Sequence, residues 1–259
     1  MPHVENHPPG SVSWIELATT DQIAAKSFYT SLFGWSFEDR PMGPNGYYTM
    51  FRLEDRNLGA AYTLQEDQRT AGVPPHWMIY ISTANADETT KRATELGGSV
   101  LCGPFDVFTY GRMSTIRDST GAVFSIWQAR DHSGFQIRDQ HGTFCWADLN
   151  SPDQQRASKF YGDLFGWTTS PGHAGYMHIK NGENFIGGIT SAQQQVSNAP
   201  PHWMIYIQVD DCDAATEKAR RLGANIFVEP MTIENAGRMS IFADPQGAVL
   251  AVFQPLPRK

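Results

Sequence analysis

The chain has 259 residues, enough for one large domain or two of ordinary size, with 41% hydrophobic and 18% charged residues. This composition excludes a chain that is disordered throughout, and a net charge of −7 gives no electrostatic reason to bind nucleic acid. No apolar run approaches the ~20 residues that span a bilayer, so no membrane partner is expected.

The first half of the chain predicts alternating strands and helices. Apolar and polar residues alternate over 12–18, as in a strand, and Thr20-Asp21 then provides an N-cap for a helix that Gly34 ends. The further predicted elements are antiparallel strands within 37–64, a strand at 77–82, a helix at 86–96, and strands at 100–101, 112–117 and 122–128. This half therefore consists of two βαβββ modules.

The second half repeats the first. The segment WIEL at residue 14 returns as WADL at residue 146, an offset of 132, and PPHWMIYI at residue 74 returns at residue 200, an offset of 126. Because the offset falls by six, we expect six extra residues in the first copy, in the hairpin around 41–57. The chain thus holds four modules in two homologous halves.

A polar stretch without periodicity, residues 129–141, separates the halves. We predict an N-terminal domain at 1–128, a linker at 129–141 and a C-terminal domain at 142–259. The predicted fold class is α+β, with paired modules forming two curved, mostly antiparallel sheets that enclose cavities. Such cavities favour binding of small molecules.

Several of these segments carry a resemblance to a known family. DSTGAVF at residue 118, its counterpart DPQGAV at residue 244, and the helix ends Phe33-Gly34-Trp35 and Leu96-Gly97-Gly98 resemble the vicinal oxygen chelate superfamily. That superfamily includes glyoxalase I, extradiol dioxygenases and bleomycin-resistance proteins. The chain is most similar to its tandem-domain branch, labelled glyoxalase-like or hydroxylase-like. The resemblance covers nearly the whole chain and implies two glyoxalase-like domains.

The resemblance also implies a divalent metal, held by His, Gln or Glu on three strands. The matching positions are Trp14, Met78 and Ser125 in the first half, and Trp146, Met204 and Ala251 in the second. Tryptophan has no lone pair for a metal, methionine is a soft ligand and alanine offers nothing. We therefore predict no metal and no other cofactor. A register change of two residues leaves open an unconventional site that uses Glu16 and His76, or Asp148 and His202.

The strand face that carries Trp14 and Trp146 predicts the lining of a ligand pocket. Aromatic and sulfur-bearing walls suit planar or apolar ligands. The predicted pocket residues are Trp14, His76, Met78, Tyr80, Arg112, Ser125 and Trp127 in the first half, and Trp146, His202, Met204, Tyr206, Arg238 and Phe253 in the second.

Glu16 and Asp148 are the candidate catalytic residues, because a carboxylate on an apolar strand costs free energy if it is buried unpaired. One interpretation is a buried ion pair with Arg112 or Arg238, or plain exposure at the surface. The other is a carboxylate that orients a ligand or acts as a general base, with a pKa raised by burial. The histidines of the two PPH segments either cap a strand entrance or take part in the chemistry.

Together these features favour a cytoplasmic protein that binds a small aromatic or amphipathic molecule without a metal. The cytoplasm is expected because the three cysteines are too far apart for a disulfide framework. The alternative is a lyase, isomerase or hydroxylase of glyoxalase or dioxygenase type, acting on a small carbonyl or enolisable substrate. A third hypothesis is a structural protein whose repeat serves assembly. Since two fused halves can mimic a dimer, we expect a pseudo-symmetric monomer or a homodimer.

Overall fold

The computed structural model describes residues 4–43, 46–190 and 199–257, and within these ranges the chain forms two eight-stranded sheets. The elements of the first half are β1 (Val12–Thr19), α1 (Gln22–Phe33), β2 (Ser36–Pro41), β3 (Tyr47–Leu53), β4 (Arg56–Thr63), α2 (Glu66–Thr70), β5 (His76–Ser82), α3 (Ala86–Glu95), β6 (Ser99–Val107), β7 (Gly111–Arg117) and β8 (Val123–Ala129). The strand order is β2-β3-β4-β1-β5-β8-β7-β6.

The second half forms the second sheet, with strand order β10-β11-β12-β9-β13-β16-β15-β14. Its elements are β9 (Phe144–Asn150), α4 (Gln154–Phe165), β10 (Thr168–Pro171), a 3-10 turn (His173–Gly175), β11 (Met177–Asn181), β12 (Asn184–Thr190), β13 (His202–Gln208), α5 (Cys212–Arg221), β14 (Asn225–Ile233), β15 (Gly237–Ala243) and β16 (Val249–Pro255). The four βαβββ modules and the α+β class are confirmed. Each sheet is mixed, because β1 pairs in parallel with β4 and β5 with β8, as do their counterparts.

The six extra residues of the first copy lie in two places. Glu16 on β1 faces Ala60, and Asp148 on β9 faces Gly188, so the offset at the fourth strand of each copy is 128. Four extra residues therefore precede β4, in the hairpin as predicted, and the other two lie between β4 and β5. The prediction that all six belong to the hairpin was wrong.

Local sequence signals set the helix ends. Asp21 accepts a hydrogen bond from the backbone N–H of Ala24, and Gly34 closes α1 in the left-handed region at φ 73°. Asp153 and Gly166 do the same for α4. This common geometry places Tyr29 and Tyr161 on equivalent faces of the two helices.

The two faces of each sheet have different environments. Alternate residues of β1, such as Ile15 and Leu17, are buried in a core that includes side chains of both halves. The opposite face, which we call the concave face, carries Trp14 and Glu16 in the first sheet, with their counterparts on the second. Helices lie on the core side, where α1 contacts α5 and α3 contacts α4. In the described ranges no helix has the length and apolar character required to cross a membrane.

Candidate ligand-binding site

A buried carboxylate cluster lies on the concave face of the second sheet. Asp148 on β9 is 5% exposed. Its Oδ1 accepts hydrogen bonds from Tyr176 Oη at 2.6 Å and Trp146 Nε1 at 3.0 Å, and its Oδ2 accepts one from Tyr206 Oη at 2.7 Å. Three neutral donors therefore satisfy most of the hydrogen-bonding capacity of this carboxylate.

The electrostatics of this cluster follow from its burial. Burial raises the pKa of Asp148, and the hydrogen bonds from Tyr176 and Tyr206 oppose that rise. Burial and the neighbouring carboxylate raise the pKa of both tyrosines, which therefore keep their protons. Each hydroxyl donates a hydrogen bond to Asp148 and has oxygen lone pairs that can accept another, as Tyr176 Oη does from Trp146 Nε1 at 2.9 Å.

The first half contains the same arrangement around Glu16. Its Oε2 accepts from Tyr48 Oη at 2.5 Å and its Oε1 from Tyr80 Oη at 2.7 Å, while Trp14 Nε1 donates to Tyr48 Oη at 3.2 Å. Burial raises the pKa of Glu16 as well. Both copies thus hold a carboxylate between two tyrosines.

Neither arginine pairs with these carboxylates. Arg112 binds Asp87 through Nε at 2.7 Å and Nη2 at 2.8 Å, and Arg238 binds Asp213 in the same way. Strand alternation explains the difference, because Arg112 precedes Met113, which pairs with Trp127 of the concave face. The interpretation of Glu16 and Asp148 as ion pairs with arginine was wrong. Arg238 also does not line the large cavity of the second half.

A cavity of about 1840 Å³ lies against the concave face of the second sheet. Five predicted pocket residues line it, together with the candidate catalytic residue Asp148: Trp146, His202, Met204, Tyr206 and Phe253. Sequence reasoning missed other lining residues, among them Asn150, Tyr176, His178, Phe185, Phe227 and Met231. The sequence repeat could have identified Tyr176, because it is the counterpart of Tyr48 when the offset between the copies is taken as 128 at this strand.

A hydrogen-bond chain fixes the tautomer of His202. Its Nδ1 lies 2.8 Å from the carbonyl oxygen of Pro200, which only accepts, so Nδ1 carries the proton. Nε2 then accepts from Asn150 Nδ2 at 3.3 Å, and Thr190 Oγ1 donates to Asn150 Oδ1 at 3.0 Å. The Pro-Pro-His segment thus fixes the orientation of the His202 ring, with Nε2 toward Asn150.

The remaining predicted residues lie on the first sheet. His76 repeats the contact to a proline carbonyl, at 2.8 Å from Pro74, and burial lowers its pKa. The strand register places Met78 opposite Glu16 and Ser125 beside Tyr80, on the concave face. Ser125 Oγ lies 2.9 Å from Thr115 Oγ1.

The donor set does not fit a metal centre of the kind that the family resemblance implies. Within the described part of the chain, no three His, Cys, Asp or Glu side chains form a group that could hold a metal ion. Glu16 and Asp148 are each bound by tyrosines, and Met78 and Ser125 stand where the resemblance requires stronger ligands.

Comparisons with known proteins agree with this fold. "Putative glyoxylase CFP32" of Mycobacterium tuberculosis is 36% identical over 264 residues, covering 100% of both chains. "Anthracycline biosynthesis protein DnrV" of Streptomyces peucetius is 31% identical over 260 residues, covering 95% of this chain and 94% of its own. The Mn(II)-bound glyoxalase of Novosphingobium aromaticivorans is similar in fold, with a TM-score of 0.66 at 17% identity, over 96% of this chain and 83% of that one.

The family assignment rests on both halves. The model of the Glyoxalase/Bleomycin resistance protein/Dioxygenase superfamily matches residues 11–126 and 143–252, which correspond closely to the two sheets. The chain therefore belongs to the glyoxalase/bleomycin resistance protein/dioxygenase superfamily, with two tandem copies of its fold.

Proposed function

We propose that this protein binds a planar aromatic small molecule in the cavity of its second half, without a bound metal. The observation that carries the proposal is a cavity of about 1840 Å³ with apolar and aromatic walls and a satisfied polar cluster within it. Ligand sites of about 300–1,000 Å³ accept drug-sized molecules, so this volume suits a ligand of several fused rings.

Exposed apolar side chains in the cavity lining support this ligand class. Phe185 and Phe227 are 49% exposed and Met231 is 48% exposed, and all three line the cavity. Exposed apolar side chains that line a concave cavity are a common mark of a binding site. A fused-ring ligand covers such side chains and gains about 25 cal/mol per Å² of buried apolar surface, before the costs of ordering.

The polar cluster favours a ligand that also bears hydroxyl groups. Tyr206 Oη donates a hydrogen bond to Asp148, so its oxygen is free to accept one from a hydroxyl group of the ligand. The name of the Streptomyces peucetius relative refers to anthracycline biosynthesis, and anthracyclines are planar fused-ring compounds with phenolic hydroxyls. That relative supports a hydroxylated polycycle as the ligand.

The test is a titration with 1,4-dihydroxyanthraquinone, followed by tryptophan fluorescence, in buffer with and without EDTA. We expect one molecule per chain, with an affinity that EDTA does not change. Tyr206→Phe removes the hydroxyl acceptor and should raise Kd roughly tenfold, the effect of about 1.4 kcal/mol.

The first half supplies the matched control. Tyr80→Phe removes the equivalent hydrogen bond, to Glu16 at 2.7 Å, and should leave Kd unchanged. Absence of binding, equal effects of the two substitutions, or binding that requires an added divalent ion would each refute the proposal.

A second candidate is a metal-free enzyme that acts on a carbonyl or enolisable substrate. It is favoured by the position of Asp148, a carboxylate with a raised pKa beside a cavity, and by the glyoxylase name of the Mycobacterium relative. Asp148→Asn should then abolish turnover while ligand binding persists, and Glu16→Gln should not. Equal turnover by wild-type protein and Asp148→Asn would exclude this role.

A further inference from the structure

The segment that joins the two halves crosses one end of the first sheet. The backbone N–H of His132 donates to Tyr110 O at 3.1 Å, beside β7. Phe135 N then donates to Ser13 O at 2.8 Å, and Gln136 N donates to Asn57 O at 2.8 Å. These contacts carry the chain from the β6–β7 turn to β1 and β4, across the concave face.

The crossing places an aromatic ring against the two tryptophans of that face. The His132 ring centroid lies 4.6 Å from the Trp14 ring, with the planes at 89°, and 6.0 Å from the Trp127 ring. Trp127 Nε1 also donates to the carbonyl oxygen of His132 at 2.8 Å. Edge-to-face contacts at these distances are favourable pairings of aromatic rings.

Among the described residues of the second half, no aromatic ring packs between the two equivalent positions, and the ring nearest to Trp146 is that of His178, with the centroids 6.5 Å apart. Trp146 and Phe253, the counterparts of Trp14 and Trp127, both line the large cavity. Trp14 and Trp127 are buried, at 4% and 7% exposure, whereas Trp146 and Phe253 are only half-buried. The residue 126 positions after His132 is Arg258, which is not aromatic and lies outside the described residues.

We infer that His132 is a built-in occupant of an aromatic-ring subsite in the first half, and that the same subsite in the second half, between Trp146 and Phe253, takes a planar heteroaromatic ring of the ligand. The second clause deepens the proposed function and rests on it. In the part of the chain that the structure describes, one subsite is then open, and His132 of the linker fills the other.

The protonation state of His132 also indicates which charge a ligand ring in the equivalent subsite should have. Burial lowers the pKa of His132 to about 4, so its imidazole is neutral at physiological pH. The subsite therefore selects an uncharged ring, held edge-on to an indole. Benzimidazole, a neutral planar heterocycle at pH 8, is the simplest probe.

The experiment uses the full chain labelled with 5-fluorotryptophan, which gives seven ¹⁹F resonances. Trp14→Phe and Trp146→Phe assign the two resonances of interest. In wild-type protein, benzimidazole should shift the Trp146 resonance and leave the Trp14 resonance in place. In His132→Gly, where the N-terminal subsite is emptied, it should shift both, and the stoichiometry should rise from one to two.

His132→Phe is the matched control, because it keeps a planar ring in the subsite and should retain one benzimidazole per chain. A wild-type titration that leaves the Trp146 resonance unmoved would overturn the inference, and so would a response of Trp14 equal to that of Trp146. A folded His132→Gly protein with an unresponsive Trp14 resonance would also overturn it. The wild-type measurement decides the inference even if His132→Gly does not fold.

Failure of the proposed function gives a different pattern. If the pocket accepts single rings but not polycycles, benzimidazole shifts Trp146 while 1,4-dihydroxyanthraquinone does not bind. If it accepts polycycles elsewhere in the cavity, 1,4-dihydroxyanthraquinone binds, but benzimidazole does not shift the Trp146 resonance.

Discussion

At the scale of single residues, Glu16 and Asp148 make stability depend on pH. Burial raises both pKa values above the ordinary 4.5 and 3.8, so the folded protein holds these protons to a higher pH than the unfolded chain. Their contribution to stability is complete below a pH of about 4 and is lost as pH rises through the raised values. We expect the free energy of unfolding of wild-type protein to fall, over this window, relative to a Glu16→Gln/Asp148→Asn double variant.

Urea unfolding of both proteins at several pH values between 4 and 7 checks this expectation. Every other titrating group is present in both proteins, so the difference between the two curves isolates the two carboxylates. Parallel curves, or a difference that grows in favour of wild-type protein as pH rises, would contradict it.

Strand alternation made part of this site predictable. It correctly placed Trp14, Glu16 and Tyr80 on one face, because the period of a strand is two residues. Arg112 was predicted on that face as well, but the structure places it on the opposite face, because it lies one residue before Met113, which pairs with Trp127. The tyrosine partners of the carboxylates include Tyr48 and Tyr176, which are 128 positions apart in the sequence, whereas Glu16 and Asp148 are 132 apart. Contacts of that kind depend on pairing between distant strands, which a single sequence does not reveal.

At the scale of elements, the helices of each half are held by turns of the other. Tyr29 on α1 donates to Asp244 Oδ2 at 2.9 Å, and its hydroxyl accepts from Trp77 Nε1 at 3.0 Å. Tyr161 on α4 donates to Asp118 Oδ2 at 2.9 Å in the same manner. The aspartate of each β-turn therefore has two roles, since Asp118 Oδ1 also accepts backbone N–H bonds within its own turn.

Removal of either tyrosine hydroxyl tests whether these hydrogen bonds between the halves stabilise the fold. Tyr29→Phe or Tyr161→Phe leaves a buried carboxylate oxygen and a buried indole N–H without their partner, so each should lower the free energy of unfolding by about 1–3 kcal/mol. Tyr110→Phe, at an exposed tyrosine, is the control and should change stability by less than about 0.5 kcal/mol. A cost no larger than that of the control would show that the reciprocal bonds add nothing.

The elements themselves were largely readable from the sequence, and the contacts between them were not. Asp21 and Gly34 gave both ends of α1, because capping is a local property. The DxxG turn segments also appeared in the sequence, but their bonds to Tyr29 and Tyr161 join residues more than 40 positions apart. Nothing in the polar linker indicated that His132 would be packed against two tryptophans, since its partners come from β1 and β8.

At the scale of the whole molecule, the two halves share a single interior. One cluster of buried side chains contains residues of both sheets, among them Trp77, Phe124 and Trp203. Unfolding of one half would expose the core face of the other and break both tyrosine–aspartate bonds. The division into domains 1–128 and 142–259 therefore separates the two sheets but not the buried core, which both halves share. That either domain folds alone remains a prediction.

A shared interior predicts that the full chain unfolds as one unit. Differential scanning calorimetry should show a single transition, with calorimetric and van't Hoff enthalpies that agree. Tyr161→Phe on the second half should move that entire transition to lower temperature, because loss of its bond to Asp118 weakens both halves together. Two resolved transitions, with only one of them displaced by the substitution, would instead mean that each sheet with its helices is stable alone. In that case the ligand cavity of the second half could be studied without the first, and the pseudo-symmetric arrangement would reflect gene fusion with no energetic dependence between the copies.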